Sequence, residues 1–370
     1  MKYCTRCLQP DTRPGIVFDE KGVCAACKNA SARKNIDFAS REEELAEIVE
    51  WAKSKKAPYD CVIGVSGGKD STFQVAYAAE LGLHPLLVNC VPDGISEVGR
   101  KNMENLLQFG FDTIHIRPNP VIEQYLMKQA FFKFGNFVKP AEYTLYASAY
   151  RTALEKGIPL VIQGENDADI FGVDCLPSGP DALNWADVDT VNGGDPSIFI
   201  DDVCKEKDLH LYKFPDKEEM KAAGMKAIFL EYYAMEWSVA KNTQFAIDYG
   251  LIGREDHDPA ATGKINRFSS LDSELKVVNQ MMKYLKFGFG QASDEVNNAI
   301  REGLMSRTQG IRILERYDGQ CSEKYIFALC EYLEISLADF WGTVHRFVNN
   351  DLFYFNEVTR KYEPNFKVGK

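Results

Sequence analysis

Residues 59–65 form a short apolar run, the next six are Ser66-Gly67-Gly68-Lys69-Asp70-Ser71, and a helical pattern starts at Ser71. A run of that length, with Pro58 before it and two glycines after it, has the character of a strand buried on both faces of a parallel sheet. A strand that passes through glycines into a helix is half of a βαβ unit, and it commits this part of the chain to an α/β architecture. The next hundred residues agree. Helical patterns at 71–81, 98–109 and 143–156 lead to strands at 85–90, 113–117 and 159–163. Four or more such units predict a doubly wound parallel sheet. Ligands of such sheets lie beyond the carboxyl ends of the strands, which directs attention to the six-residue loop, to Asn89, and to Gly164-Glu165-Asn166-Asp167.

The loop suits an anion. Gly67 and Gly68 allow close backbone approach, so that successive N–H groups converge on a phosphate at the positive end of the following helix. Lys69 adds charge, and the hydroxyls of Ser66 and Ser71 can donate to phosphate oxygens. Asp70 would repel phosphate unless it holds a magnesium ion that bridges the oxygens. The loop is not a Walker motif, because position 63 is Ile and Lys69 is followed by Asp70.

Of ten cysteines, four fall as Cys4-x-x-Cys7, sixteen residues, then Cys24-x-x-Cys27, the two-knuckle spacing of a four-thiolate zinc site. Turn residues surround a short apolar strand at 16–18, as in a zinc ribbon. Four thiolates fill the tetrahedron, so the zinc is expected to be structural and to supply folding energy to a unit too small for its own core. Cys61, Cys90, Cys175, Cys204, Cys321 and Cys330 are scattered, and Cys61 and Cys90 read as small core residues. With 370 residues, more than one structural unit is expected. The boundaries read as a ribbon at 1–35, a linker helix at 36–57 capped by Ser40, an α/β domain at 58–270 with a loop insertion near 171–199, and a C-terminal helical region at 271–370. That region shows helices near 275–285, 293–302, 307–317, 324–333 and 337–349, with no clear strand.

The loop resembles the PP-loop of the N-type ATP pyrophosphatases, a HUP-like fold in which it binds the pyrophosphate part of ATP. Taken together, the ribbon, SGGKDS, Gln163-Gly164-Glu165-Asn166 and Lys283-Tyr284-Leu285-Lys286-Phe287-Gly288-Phe289-Gly290 resemble the N-acetyl sugar amidotransferases of bacterial surface-polysaccharide (LPS O-antigen) and nonulosonic acid biosynthesis. This resemblance implies ATP, Mg2+ and structural Zn2+, with AMP and diphosphate as products and an acetamidino sugar formed from a nucleotide-activated N-acetyl sugar. It implies Lys69, Asp70 and Glu165 as catalytic residues. Ser66 to Ser71, Asn89, Gly164 and Asn166 would bind nucleotide, and Asp70, Glu165 and Asp167 would hold magnesium. The chain shows no glutaminase unit of its own, so ammonia is expected from a separate glutaminase through a channel-forming partner, with the C-terminal helices as a contact surface.

With 43 basic against 54 acidic residues the net charge is -11, which disfavours general nucleic-acid binding. That weighs against a PP-loop tRNA thiolation enzyme, as does the lack of a second Cys-x-x-Cys pair in the α/β part. A noncatalytic nucleotide-binding zinc scaffold is disfavoured by Lys69, Asp70 and Ser71. Arg151, Arg254, Lys264 and Arg267 read mainly as solvated charges, with Arg254 and Lys264 as weak acceptor-binding candidates. His84, His115, His210, His257 and His345 show no ligand spacing. No secretory leader or membrane span is recognised, and a cytoplasmic protein is expected.

Overall fold

The computed structural model describes residues 1–92, 94–174, 177–187 and 192–370. Strands β1 (Cys61–Gly64), β2 (Pro85–Cys90), β3 (Thr113–Ile116), β4 (Leu160–Gln163) and β5 (Lys226–Phe229) form one parallel sheet in the order β3-β2-β1-β4-β5. β1 is central, with Cys61 level with both Pro85 and Leu160. Its side chains alternate between two cores, Val62 facing one way and Cys61 and Ile63 the other. The expected buried parallel strands are present at β1, β2 and β4, whereas edge strand β3 is only half-buried, with His115 exposed. Connections run outward from β1 in both directions, so a crevice opens where β1 and β4 diverge at their carboxyl ends.

The helices are α1 (Ala25–Arg33), α2 (Phe38–Ser54), α3 (Lys69–Glu80), α4 (Glu97–Asn105), α5 (Pro120–Phe134), α6 (Lys139–Lys156), α7 (Asp167–Ile170), α8 (Lys217–Ala222), α9 (Leu230–Tyr233), α10 (Val239–Asp248) and α11 (Pro259–Thr262). The C-terminal region adds α12 (Lys276–Phe287), α13 (Gln291–Arg301), α14 (Arg307–Tyr317), α15 (Glu323–Leu333) and α16 (Leu337–Phe347). Helix α6 packs on one face of the sheet, while α2 and α3 cover the other. No helix among the described residues is long and apolar enough to cross a membrane.

Several sequence expectations are corrected. Asp37, not Ser40, caps α2, accepting from the N–H groups of Ala39 at 3.1 Å and Ser40 at 3.3 Å. Helix α3 begins at Lys69, inside the loop. The sheet has a fifth strand, β5, and the C-terminal region ends in an antiparallel hairpin of β6 (Phe353–Asn356) and β7 (Lys361–Pro364). Residues 16–18 make single bridges, Ile16 with Val173 and Phe18 with Cys24, rather than a strand. Cys175 and part of the 171–199 insertion lie outside the described residues. The remainder of that insertion is not a free loop, because Ala182, Trp185 and Phe199 are buried in the core. The Ala182 N–H donates to the Ala227 carbonyl at 2.9 Å and the Phe229 N–H to the Pro180 carbonyl at 2.9 Å, which occupies the exposed edge of β5.

Candidate active site

At Gly67 the loop after β1 requires glycine twice over. Its φ is +72°, and a Cβ there would stand 2.6 Å from the Met103 amide nitrogen and 2.7 Å from the Asn102 carbonyl carbon. The turn thus seats against α4. Gly68 is different, because its φ is -81° and a Cβ would only touch Ser66 Oγ at 3.4 Å. Among the described residues, the N–H groups of Gly67, Gly68 and Lys69 have no acceptor, as expected for the unsatisfied first turn of a helix. The Ser71 hydroxyl, 3.1 Å from the Gly68 carbonyl, and the Thr72 hydroxyl, 2.9 Å from it, brace the turn. The loop is a cradle of free donors at the positive end of α3.

Lys69 and Glu165 line one cavity of about 600 Å³ in the crevice beyond β1 and β4. Lys69 pairs with Asp70, and Asn242 Nδ2 donates to Asp70 Oδ1 at 3.0 Å. The carboxyl of Glu165 is pushed up to about 7 by burial and then by the neighbouring Asp70 charge, while Lys69 works against both. Burial also opposes the Lys69 ammonium, yet Asp70 and Glu165 outweigh it and hold its pKa above the ordinary lysine value. Crowded carboxylates beside a lysine suit a divalent cation carried in with a triphosphate, which needs only one or two protein carboxylates because phosphate oxygens fill the other positions. Asp70 and Glu165 fit that need. Among the described residues, Asp70, Glu165 and Asp167 do not close into a three-ligand cluster.

Two of the remaining predicted site residues, Asn89 and Asn166, have their side chains engaged with the strand ends and the second loop. Asn89 is buried, with Nδ2 donating to the Val65 carbonyl at 2.8 Å and Oδ1 3.1 Å from His115 Nδ1, so its side chain ties the strand ends together. It is not turned to solvent. Asn166 is fully buried, donating to the carbonyls of Pro177 at 3.0 Å and Gly179 at 3.3 Å and capping α7 through the Ala168 N–H at 2.9 Å. A Cβ at Gly164 would stand 2.9 Å from Gln74 Nε2 and 3.1 Å from the Trp237 ring. Burial pushes the Asp167 carboxyl up to about 6, opposed by Arg13 of the N-terminal unit. Arg254 and Lys264 are buried rather than solvated, Arg254 pairing with Glu274. Lys264 Nζ has no hydrogen-bond partner among the described residues.

Three contributors had no sequence signal. Glu231, just after β5, is buried and accepts from the Asn166 N–H at 3.2 Å, its carboxyl pushed up by burial and then by Glu165. Trp237 Nε1 donates to Glu165 Oε1 at 3.3 Å. Asn242, on α10, reaches Asp70. The rest of the cavity wall comes from Ile170 and Phe171, α10, residues 265–269, helices α12 and α13, and Glu302 and Leu304 just after α13. The C-terminal region is therefore a wall of the cleft.

At the other end, Cys4, Cys7, Cys24 and Cys27 are all buried with their sulfurs within 4.8 Å of one another. The Cys4–Cys27 and Cys7–Cys24 separations are 3.9 and 3.7 Å. Tetrahedral zinc with bonds of about 2.3 Å sets sulfurs about 3.8 Å apart, so the donor set fits. The N–H groups of Arg6, Gln9 and Cys24 point at these sulfurs at 3.3–3.4 Å, as thiolates require. Hydrogen bonding by Cys24 and then Cys27 holds the Cys4 thiol low, while Cys27 is pushed up by Cys24, Cys4 and Cys7.

Residues 262–365 match the C-terminal domain of the WbpG-like LPS biosynthesis proteins. No curated protein matches the chain. Among solved structures, the NMN synthetase from Francisella tularensis is similar at 15% identity, covering 58% of this chain and 93% of that chain with a TM-score of 0.29.

Proposed function

We propose that the chain is an ATP-dependent amidotransferase, which adenylates the N-acetyl oxygen of a nucleotide-activated sugar and lets ammonia displace AMP. The observation that carries this reading is the Gly67 turn, with its unpartnered amides and Lys69 facing Glu165 across a cleft whose far wall is the WbpG-like domain. In this reading the chain divides into a ribbon at 1–35, a linker helix at 36–57, an ATP pyrophosphatase domain of the PP-loop type at 58–270 and a C-terminal region at 271–370 that closes the cleft.

The loop amides and Lys69 bind the departing diphosphate and offset the negative charge that builds up as it leaves. The acetamido oxygen attacks the α-phosphorus, the bond to diphosphate breaks, and an O-adenylated imidate forms. Ammonia then adds to the imidate carbon, AMP departs, and loss of a proton gives the acetamidino group. No protein nucleophile is needed, since alignment of oxygen with phosphorus and charge stabilisation do the work. Asp70 and Glu165 would hold magnesium, which neutralises phosphate charge when bound. Asn242 and Trp237 orient those two carboxylates.

Ammonia is scarce as the free base at neutral pH, and delivery from a separate glutaminase through a channel-forming partner completes the proposal. The decisive experiment supplies ATP, Mg2+, ammonium and a panel of UDP- and CMP-linked diacetamido sugars, and follows nucleotide products and sugar mass. AMP and diphosphate, together with the mass shift of oxygen replaced by NH, are expected. ADP and orthophosphate would overturn the reading. Partner delivery fails if glutamine plus a glutaminase never exceeds the rate with ammonium chloride.

A further inference from the structure

Between the two cysteine pairs, Arg13 leaves the N-terminal unit and enters the wall of the cleft. Its guanidinium lies 4.8 Å from the centre of the Phe171 ring and 4.4 Å from that of Phe289, and it pairs with Asp294 on α13. Lys283 Nζ on α12 binds the other oxygen of Asp294 at 2.8 Å. Burial raises the Asp294 carboxyl, but Arg13 and then Lys283 outweigh it and hold it below the usual carboxylate range. Phe171, Lys283 and Asp294 all line the cavity that contains Lys69 and Glu165.

The unit that carries Arg13 grips both walls by its backbone and by Asn29 as well. Toward the segment after Glu165, the Asp174 N–H donates to the Gly15 carbonyl at 3.0 Å, and Asn29 Nδ2 to the Ala168 carbonyl at 3.3 Å. Gly172 comes so close that a Cβ there would meet the Ala26 nitrogen at 2.4 Å. Toward the C-terminal helices, the Leu8 N–H donates to Asn297 Oδ1 at 2.7 Å and Arg307 Nε to the Cys7 carbonyl at 3.1 Å. Leu8, Cys7, Ala26 and Asn29 lie at or beside the cysteines, so the packing of the knuckles and the placing of both walls are joined.

We propose that Arg13 is a positioning residue, through which the cysteine unit sets the spacing of the two cleft walls and holds Asp294 and Lys283 in place as an acceptor-binding subsite. The clamp itself rests only on geometry, whereas naming the acceptor rests on the amidotransferase reading. Arg13 touches no reacting atom. Its loss should spare the phosphate cradle, which is built on β1, α3 and α4, and should loosen the opposite side.

The test compares full-length protein with Arg13→Met and Arg13→Lys, using elemental analysis, hydrogen exchange and steady-state kinetics. Metal content is expected to match the parent. In Arg13→Met, exchange at 167–174 and 287–298 should rise about tenfold while the central strands are unchanged. The KM for acceptor should rise about 10- to 100-fold with the KM for ATP nearly constant, and Arg13→Lys should recover part of both effects. Unchanged exchange at both segments, or an equal rise in the central strands, overturns the clamp. Equal rises in both KM values overturn the acceptor subsite. If the parent releases no AMP with any acceptor, the amidotransferase reading fails, and the exchange data still decide Arg13.

Discussion

Asn242 Nδ2 donates to Asp70 Oδ1 across 3.0 Å and 172 positions of sequence, joining α10 to the turn after β1. Lys69 pairs with the other oxygen, Oδ2, so both oxygens of Asp70 are already held and a cation would share them with these two partners. Asp70→Ala is expected to lower AMP-forming turnover about 10²- to 10³-fold while the chain still folds. Asn242→Ala should instead weaken apparent Mg2+ affinity about 10- to 100-fold, the scale of removing a partner that orients a metal ligand. Magnesium titrations of both variants separate the roles, and equal effects on turnover at saturating magnesium would contradict them.

The two loop glycines make unequal demands. Gly67→Ala places a methyl against the Asn102–Met103 backbone at a φ of +72° and should cost about 1–3 kcal/mol of stability along with most ATP affinity. Gly68→Ala meets only Ser66 Oγ at 3.4 Å in an extended conformation and should bind ATP within about threefold of the parent, because its amide stays in place. Calorimetric titration with a nonhydrolysable ATP analogue checks the contrast, and comparable losses in the two variants would refute it.

Lys264 is a buried cation without a hydrogen-bond partner among the described residues, and burial, then Arg254, lower its pKa to about 8. Between about 8 and the unfolded value of 10.5 the unfolded chain binds more protons, so stability of the parent should rise with pH across that window. Lys264→Met conserves volume and removes the charge. It should stabilise the protein by on the order of 2 kcal/mol at pH 7, with the advantage shrinking toward pH 10. Urea midpoints measured from pH 7 to 10 test the sign. A midpoint lowered by Lys264→Met at pH 7 would show that the amine has a partner worth more than its burial.

About one zinc per chain is expected on elemental analysis. Cys24→Ser should abolish retention and raise hydrogen exchange in residues 4–27 while β1 to β5 stay protected. Cys61→Ser, deep in the sheet at 0% exposure, should leave metal content intact and cost about 1–3 kcal/mol by burying a hydroxyl in an apolar core. Loss of metal from Cys61→Ser, or retention in Cys24→Ser, would reassign the site.

Much of the scaffold was legible because its signals are local. Strand β2 has the expected bounds, the helix after β1 follows its glycines, and the cysteine spacing matches a cluster whose sulfurs meet. The fifth strand carries a weak local signal, since Lys226–Phe229 offers only three apolar residues between a turn and a one-turn helix. The C-terminal hairpin carries a weak one too, because Phe353–Asn356 and Lys361–Pro364 show no apolar alternation, and only Phe353 is buried. Arg254 and Lys264 looked like surface charges because charge and hydropathy carry no information about what folds over them.

Residues adjacent in the chain settled the α/β class, the glycine turn before α3 and the two Cys-x-x-Cys turns, because hydrogen-bond ladders, helix ends and cysteine pairs are specified within a few positions of sequence. Which side chains complete the cleft was decided only by packing. Asn242 on Asp70, Trp237 on Glu165, Glu231 behind Asn166, and Arg13 between Phe171 and Phe289 are pairings across tens to hundreds of residues. Each depends on where a distant helix or loop comes to rest against the sheet, and no short-range pattern encodes that distance.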